Sequence, residues 1–189
     1  MSDGERRDMA TTLQLHNGAI RIVVVADTHG EPHPKSAEVI AAQHPHHLLH
    51  AGDIGDTRVL DRLAEIAPIS AVRGNIDANA TGVPDTLTID VCDGDESLVK
   101  MVMLHIGVNG PRLRADSVRL ARAEDARIVV CGHSHVPFMG RDRDLTIFNP
   151  GSIGPRRFPL PIVFGVIDIS WHRVAMKHVD CESGQQWLP

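Results

Sequence analysis

Hydrophobic residues in the first half of the chain form short runs separated by segments with helical spacing. Residues 20–26 are almost all β-branched, which is typical of a strand buried on both faces of a sheet, and residues 46–51 also predict a strand. The segment between them, 34–43, predicts a short helix. A second helix is predicted over 57–67, ending before a proline, and a third strand over 69–72.

The second half of the chain is richer in strands. Residues 85–91 alternate apolar and polar positions, and a turn leads into a second run over 98–104, which predicts a β-hairpin. A glycine-containing loop then precedes a predicted helix over 112–125. Five further segments have strand-like patterns, namely 127–131, 136–140, 145–148, 162–169 and an edge strand over 171–179.

The order of these elements favours one domain of the α/β class. Neither a repeat nor a linker divides the chain, so residues 18–180 are predicted to form a single domain. The two ends, 1–17 and 181–189, are predicted to be loose tails, as chain termini often are.

Composition and charge narrow the class of protein. The chain has 189 residues and a net charge of −5, which excludes bulk binding of a nucleic-acid backbone by a basic surface. It contains four Phe, two Trp and no Tyr, so stacking platforms for single-stranded nucleic acid are not expected. Twelve histidines exceed what a structural role requires, and histidine is the commonest metal ligand.

The cysteines and the termini indicate a compartment. Three widely spaced cysteines without a CxxC pair argue against a disulfide framework or a zinc knuckle and favour a reducing cytoplasm. The N-terminal residues lack the apolar core of a secretory signal, and the chain has no apolar run of about 18 residues. We therefore expect a cytoplasmic protein that does not enter a membrane.

Five predicted strands are each followed by residues that can bind a metal ion. Because functional groups gather beyond the carboxyl ends of strands in open α/β sheets, side chains far apart in sequence can meet there. Each motif alone is also compatible with a turn or a helix cap. Taken together, the set comprises Asp27, His29, Asp53, Asn75, His105, His133 and His135.

The types of these residues predict the metal. Carboxylate, amide and imidazole groups without thiolate suit Mn²⁺, with Fe²⁺, Zn²⁺ or Ni²⁺ as alternatives, better than Ca²⁺ or an iron–sulfur cluster. Seven ligands are too many for one tetrahedral site and suit two metals sharing a carboxylate, about 3.5–4 Å apart as in hydrolytic two-metal sites.

The same residues occur in ordered motifs: Asp27-x-His29, Gly52-Asp53, Gly74-Asn75-x-Asp77, His105, Gly132-His133-Ser134-His135 and Asn149-Pro150-Gly151-Ser152. In these motifs the chain resembles the calcineurin-like metallophosphoesterases, in particular their small single-domain bacterial and archaeal phosphodiesterase branch, over residues 20 to 170. The resemblance implies a four-layer α/β/β/α sandwich with a dimetal centre at the strand ends.

The resemblance also implies a role for each motif residue. Asp27, His29, Asp53 and His135 would bind one metal, and Asp53, Asn75, His105 and His133 the other, so that Asp53 bridges the two. A hydroxide held between the metals would attack a small or nucleotide-like phosphodiester in line. The implied catalytic residues are Asp53, Asn75 and Asp77. Asn75 would also contact substrate, and Asp77 would orient a ligand histidine by accepting its other ring N–H.

Two positions depart from the family pattern. Larger members have a histidine directly after the motif asparagine that resembles the acid for the leaving group, whereas this chain has Ile76, which cannot donate a proton. We therefore expect a preference for good leaving groups, or an acid supplied by His33 or water. Many relatives read His-Gly-His where this chain reads His105-Ile106-Gly107, so the third histidine is missing.

Other residues have two interpretations. Arg156 and Arg157 could clamp a phosphate or form a solvated charge pair, and Arg156 is the predicted substrate contact. His50 is expected to be a packed or hydrogen-bonded histidine rather than a ligand. The apolar segments near 136–139 and 159–164 could supply an interface between copies of the chain.

Two alternatives to a phosphodiesterase stay open. The retromer sorting subunit is similar in fold to this family and works by binding partners, so a non-catalytic scaffold is one of them. It would be expected to have lost metal ligands, and all seven are present. A phosphomonoesterase is the other, and the absence of the acid histidine argues against it.

Overall fold

The apolar and β-branched runs form strands in the computed structural model, which describes residues 8–188. In this part of the chain the strands are β1 (Asp8–Gln14), β2 (Ala19–Val25), β3 (His47–His50), β4 (Ile69–Ala71), β5 (Thr86–Asp93), β6 (Glu96–Leu104), β7 (Val108–Asn109), β8 (Arg112–Leu113), β9 (Ile128–Val130), β10 (Phe138–Asp142), β11 (Leu145–Asn149), β12 (Val163–Ser170), β13 (Arg173–Asp180) and β14 (Gln186–Trp187). The helices are α1 (Ser36–Ala41), α2 (Arg58–Ala64) and α3 (Ala115–Ala123).

Twelve of these strands form two six-stranded mixed sheets. Sheet I has the order β1-β5-β6-β9-β11-β10, and sheet II has the order β14-β13-β12-β2-β3-β4. Strands β2, β3 and β4 are parallel to one another in sheet II, and β6, β9 and β11 are parallel in sheet I. Parallel neighbours end on the same side, so the loops after β2, β3 and β4 leave one edge together, as do those after β6 and β9.

Three apolar clusters hold the elements together. The largest joins the inner faces of the two sheets, with Ile22 and Val24 of β2 packed among residues of β5, β6 and β9. The alternate residues of β2, Val23 and Val25, face a second cluster that contains Ile40 of α1 and Leu63 of α2. A third cluster joins α3 to sheet I. Strand β2 is therefore buried on both faces, as its nearly continuous β-branched run predicts, and the predicted α/β class is confirmed.

The prediction of a loose N-terminal tail is wrong for residues 8–17. Residues 8–14 form β1, which pairs in parallel with β5 over its whole length, and His16 and Ala19 form an isolated bridge. The pattern gave no strand signal because only Leu13 of β1 is buried. An edge strand held mainly by main-chain hydrogen bonds needs few apolar residues. Residues 1–7 lie outside the described part of the chain.

The predicted C-terminal tail is also wrong where the structure describes it. Cys181 is fully buried, and β14 pairs with β13, so β13 is an inner strand rather than the expected edge. Residue 189 lies outside the described residues. The β7–β8 ribbon occupies the start of the segment predicted as a helix over 112–125, and α3 begins only at Ala115.

Among residues 8–188, we find no helix that is both long and apolar enough to cross a membrane.

Candidate metal centre

The loops after four strands bring six of the seven predicted ligands to one place. Asp27 and His29 follow β2, Asp53 follows β3, His105 follows β6, and His133 and His135 follow β9. These six residues form two groups, each with possible ligand atoms within 4.8 Å of one another. One group is Asp27, His29 and His135, and the other is Asp53, His105 and His133.

The first group has the geometry of a shared cation site. His135 Nε2 lies 3.3 Å from His29 Nε2 and 3.5 Å from Asp27 Oδ1. The rings of His29 and His135 are stacked with their centroids 5.1 Å apart. Three potential donor atoms from two loops therefore converge on one point.

Asp53 belongs to the second group and also faces the first. Its Oδ2 is 3.7 Å from His29 Nε2 in the first group, and its Oδ1 is 3.2 Å from His105 Nε2 in the second. His105 Nε2 is also 3.9 Å from Asp27 Oδ1. The two oxygens of one carboxylate thus face different groups, so Asp53 would contact cations held at either of them.

The residues present fit divalent cations. Asp27 Oδ1 and His105 Nε2 are buried and have no hydrogen-bond partner within the described chain, although a buried polar atom normally has one. Burial, followed by the negative charge of Asp53, raises the pKa of Asp27 to about 8. Two neighbouring carboxylates, one of them with a buried oxygen that has no partner, beside neutral imidazoles are a costly arrangement without a cation between them.

Three of the candidate histidines, His29, His105 and His135, are held in the neutral form that binds metal. Burial lowers the pKa values of His29 and His105, and it lowers that of His135 to about 4, with the charge of Arg157 as the second cause for His29 and His135. His105 Nδ1 lies 2.7 Å from the carbonyl oxygen of Ala51, so this nitrogen carries the proton. The lone pair of His105 is then on Nε2, which faces Asp53.

The backbone is strained where the ligands lie. Nine non-glycine residues among 8–188 have a positive φ, and five of them belong to the two groups: Asp27, His29, Asp53, His133 and His135. This left-handed conformation is unfavourable for side chains with a Cβ, and such strain concentrates at functional sites. The strain supports a role for these loops beyond folding.

Gly74 allows the loop after β4 to approach Asp53. A Cβ at this position would overlap Oδ1 and the backbone nitrogen of Asp53. The loop places the Ile76 N–H 3.3 Å from Asp53 Oδ1, to which it donates a hydrogen bond. The glycine of the Gly74-Asn75 motif is therefore required by close packing against a predicted ligand.

Asn75 and Asp77 have different surroundings. Asn75 is exposed and lines a cleft together with His105, which leaves its amide accessible beside the second group. Asp77 is buried and accepts hydrogen bonds from three backbone amides, with Oδ2 on Ile54 and Gly74 at 2.9 and 2.8 Å and Oδ1 on Gly55 at 2.9 Å. The predicted contact between Asp77 and a ligand histidine ring is therefore wrong, because both oxygens hold the loops after β3 and β4 together.

The two neighbouring arginines have different surroundings. Arg156 is exposed and pairs with Glu182 Oε1 at 2.9 Å, so the prediction that it contacts substrate is not supported. Arg157 Nη2 instead lies 3.1 Å from His29 Nε2. The cation at the mouth of the centre is Arg157.

The Asn-Pro-Gly-Ser turn makes hydrogen bonds to the loops that carry the ligands, a role that the sequence did not predict. Asn149 Nδ2 donates to the carbonyl oxygen of Gly132 at 2.8 Å, and Ser152 Oγ donates to that of Asp27 at 3.0 Å. The turn thereby fixes the loops that carry Asp27, His133 and His135. The motif itself was the available signal, but its hydrogen-bond partners depend on the tertiary fold.

His50 is a structural histidine, as predicted. Its Nε2 lies 3.0 Å from Thr28 Oγ1, whose hydroxyl donates to the carbonyl oxygen of Ile54, and its Nδ1 accepts from the Gly52 N–H at 3.2 Å. Both ring nitrogens are thus used by the neutral form. Burial lowers the pKa of His50 to about 4.

His50 is expected to make the fold sensitive to acid. Because its pKa is lower in the folded than in the unfolded protein, stability falls as the pH drops from about 6.5 towards 4, by about 3 kcal/mol in total. Urea unfolding at pH 7 and pH 4.5 measures this loss in the wild type, in His50→Gln and in the exposed control His172→Gln. The loss should shrink only in His50→Gln, and an unchanged loss in that variant would contradict the assignment.

Comparison with known proteins identifies the family. Residues 20–171 match the model of the calcineurin-like phosphoesterase superfamily domain, and the chain belongs to this superfamily. A protein of Methanocaldococcus jannaschii named "Probable metallophosphoesterase" is 30% identical over 158 residues, which cover 80% of this chain and 78% of the relative. The two candidate ligand groups agree with the metal dependence of the family.

Solved structures agree on the fold. Vacuolar protein sorting 29 of Cryptosporidium parvum has a TM-score of 0.71 and 17% identity, covering 90% of this chain and 95% of that one. The phosphoesterase YfcE of E. coli has a TM-score of 0.60 and 18% identity, covering 88% and 96%. At these identities the likeness concerns the fold alone.

Proposed function

We propose that this protein is a dimetal-dependent phosphodiesterase that hydrolyses small or nucleotide-like phosphodiesters. The observation that carries the proposal is the pair of ligand groups joined by Asp53, whose two oxygens face different groups. The proposed ligands are Asp27, His29, Asp53, Asn75, His105, His133 and His135. Nitrogen and oxygen donors without thiolate favour Mn²⁺.

Bound divalent cations would supply an activated water and neutralise the phosphate oxygens. The chain's own residues position these reactants. Asp53 lies within 4 Å of a histidine of each group and so fixes their relative position. The exposed amide of Asn75 beside His105 can donate to a phosphate oxygen. Asp77 fixes the loop that carries Asn75 by binding three backbone amides.

Three buried free cysteines support the proposal that the protein works in the reducing cytoplasm.

Arg157 is the proposed phosphate contact in place of Arg156. A guanidinium beside His29 adds positive charge where a phosphate would approach the first group. Arg157→Ala should lower kcat/KM for a diester by about 10-fold, mainly through KM, whereas the neighbouring Arg156→Ala should stay near wild type. Steady-state kinetics of both variants test this assignment. A larger loss in Arg156→Ala would restore the original assignment.

Ile76 is expected to limit the leaving groups that the protein accepts. Ile76 is 47% exposed and carries no proton donor. His33, the alternative acid, accepts a hydrogen bond on Nδ1 from the Lys35 N–H at 3.3 Å. Wild-type protein should cleave aryl esters far faster than alkyl esters. Ile76→His should raise the rate on an alkyl diester by about 10- to 100-fold and change the rate on a 4-nitrophenyl diester little. Equal wild-type turnover of alkyl and aryl diesters would exclude this explanation.

Metal analysis combined with an activity assay tests the proposed function itself. Purified protein should bind about two Mn²⁺ per chain. In the presence of Mn²⁺ it should hydrolyse the diester bis(4-nitrophenyl) phosphate faster than the monoester 4-nitrophenyl phosphate. Faster turnover of the monoester would make the protein a phosphomonoesterase. The fold likeness to vacuolar protein sorting 29 favours a binding scaffold as the second candidate, and protein without metal or hydrolysis would establish that reading.

A further inference from the structure

A second cavity begins at the metal centre and extends away from it. Its volume is about 580 Å³, within the roughly 300–1,000 Å³ typical of small-molecule sites. His133 lines this cavity and also belongs to the second ligand group. A phosphate bound at the two groups would therefore lie next to its opening.

The wall of the cavity is mostly apolar. It includes Ile106, Val108, Pro111, Val136 and Phe138. Val136 is 40% exposed and therefore leaves apolar surface in contact with water. An apolar wall beside a centre built for a charged phosphate is not needed for binding the phosphate itself.

Two polar side chains of the wall, Ser134 and Asn149, are used within the protein. Ser134 Oγ lies 3.1 Å from Asn149 Nδ2 and 3.2 Å from the Val136 N–H, both of which donate to it. Arg114 Nε at the rim lies 3.4 Å from Asp116 Oδ1. A sugar or another polyhydroxylated group would find these two side chains already hydrogen-bonded, whereas an apolar group would bury its surface against the wall.

From this geometry we infer that the cavity binds an apolar or aromatic ester group of the substrate. The inference rests on the proposed function, because it assigns one substituent of the phosphoester whose phosphate the metal centre would hold. It narrows the substrate class to phosphoesters with at least one apolar or aromatic group.

Two phosphonates that differ only in the apolar group provide the probe. Phenylphosphonate and methylphosphonate share the phosphate-like head and resist hydrolysis because the P–C bond replaces an ester. Their affinities for Mn²⁺-loaded protein are measured by titration calorimetry. We expect phenylphosphonate to bind about tenfold more tightly, since its ring buries apolar surface that a methyl group cannot.

Two variants and a matched control locate the preference. Val136→Ser and Val108→Ser should each reduce the ratio of the two affinities several-fold, by roughly the value of the methyl groups removed. Val174→Ser is the control, because Val174 is 42% exposed, close to the 40% of Val136, and lies in β13 of the other sheet. Thermal unfolding and the Mn²⁺ content of each variant show whether it is folded and has bound metal. Val136 is adjacent to His135, so if Val136→Ser binds less Mn²⁺, the comparison is made with Val108→Ser alone.

The possible outcomes separate this inference from the proposed function. Equal affinities for the two phosphonates, or a ratio of affinities unchanged in both cavity variants, would overturn the inference about the cavity. If the protein still hydrolyses a diester, the proposed phosphodiesterase function stands. Binding of neither phosphonate, together with no hydrolysis, would remove both.

Discussion

Asp53→Asn is expected to lower kcat/KM for a phosphodiester by roughly 10³-fold or more, beyond the about 10- to 100-fold typical of groups that only orient ligands. Asp53 is 3% exposed, and its two oxygens lie 3.7 Å from His29 Nε2 and 3.2 Å from His105 Nε2. An amide offers one weak oxygen ligand and no charge, so it can serve one group at most. The variant should therefore also bind less than half of the wild-type Mn²⁺.

Stability measurements separate this loss from misfolding. In the metal-free protein the charge of Asp53 is one cause of the raised pKa of Asp27, so its removal relieves repulsion and should lower the pKa of Asp27. The melting temperature of metal-free Asp53→Asn should equal or exceed that of metal-free wild type. Asp56→Asn, where the aspartate pairs with Arg58 outside the two groups, is the control and should keep its activity. Full activity in Asp53→Asn would remove the dimetal proposal.

Asp77→Asn is expected to destabilise the fold by about 3 kcal/mol and to reduce activity with it. Both carboxylate oxygens of Asp77 accept backbone N–H groups, from Ile54 and Gly74 on Oδ2 and from Gly55 on Oδ1. In either orientation of the amide, its NH₂ group would face at least one of these donors. A buried backbone N–H group left without an acceptor costs free energy, so the loops after β3 and β4 would separate.

Urea unfolding with and without Mn²⁺ measures this effect. Asp95→Asn, in the exposed turn between β5 and β6, is the control for an aspartate-to-asparagine change and should shift stability by less than about 0.5 kcal/mol. Excess Mn²⁺ should recover part of the lost activity, because Asp77 supports the ligands without being one of them. Wild-type stability in Asp77→Asn would show that the three hydrogen bonds contribute little.

The strands that carry the candidate ligands could be located from sequence because they are buried. The runs of β2 and β9 are largely apolar and that of β3 contains two leucines, and all three strands lie inside their sheets. The alternation of β5 follows its half-buried position. Strands β1 and β14 lie at the sheet edges and bury few side chains, so they left no periodic signal. The helix predicted over 112–125 began too early because the β7–β8 ribbon depends on main-chain pairing.

The contacts of individual polar side chains could not be read from sequence. Arg156 and Arg157 are adjacent and chemically identical, yet one pairs with Glu182 and the other lies against His29. Asp77 follows the motif asparagine by two residues, but its partners are amides of two loops. The cavity beside His133 joins residues of three segments of the chain, none of which marks it alone.

The sequence by itself determined the α/β class and the residue types available for chemistry, because burial periodicity and ligand identity are local properties of the chain. The tertiary structure decided which ligands meet, which arginine faces the centre and where the apolar cavity opens. Those features depend on the distances between loops from two different sheets, and the packing of the apolar cluster between the sheets sets these distances.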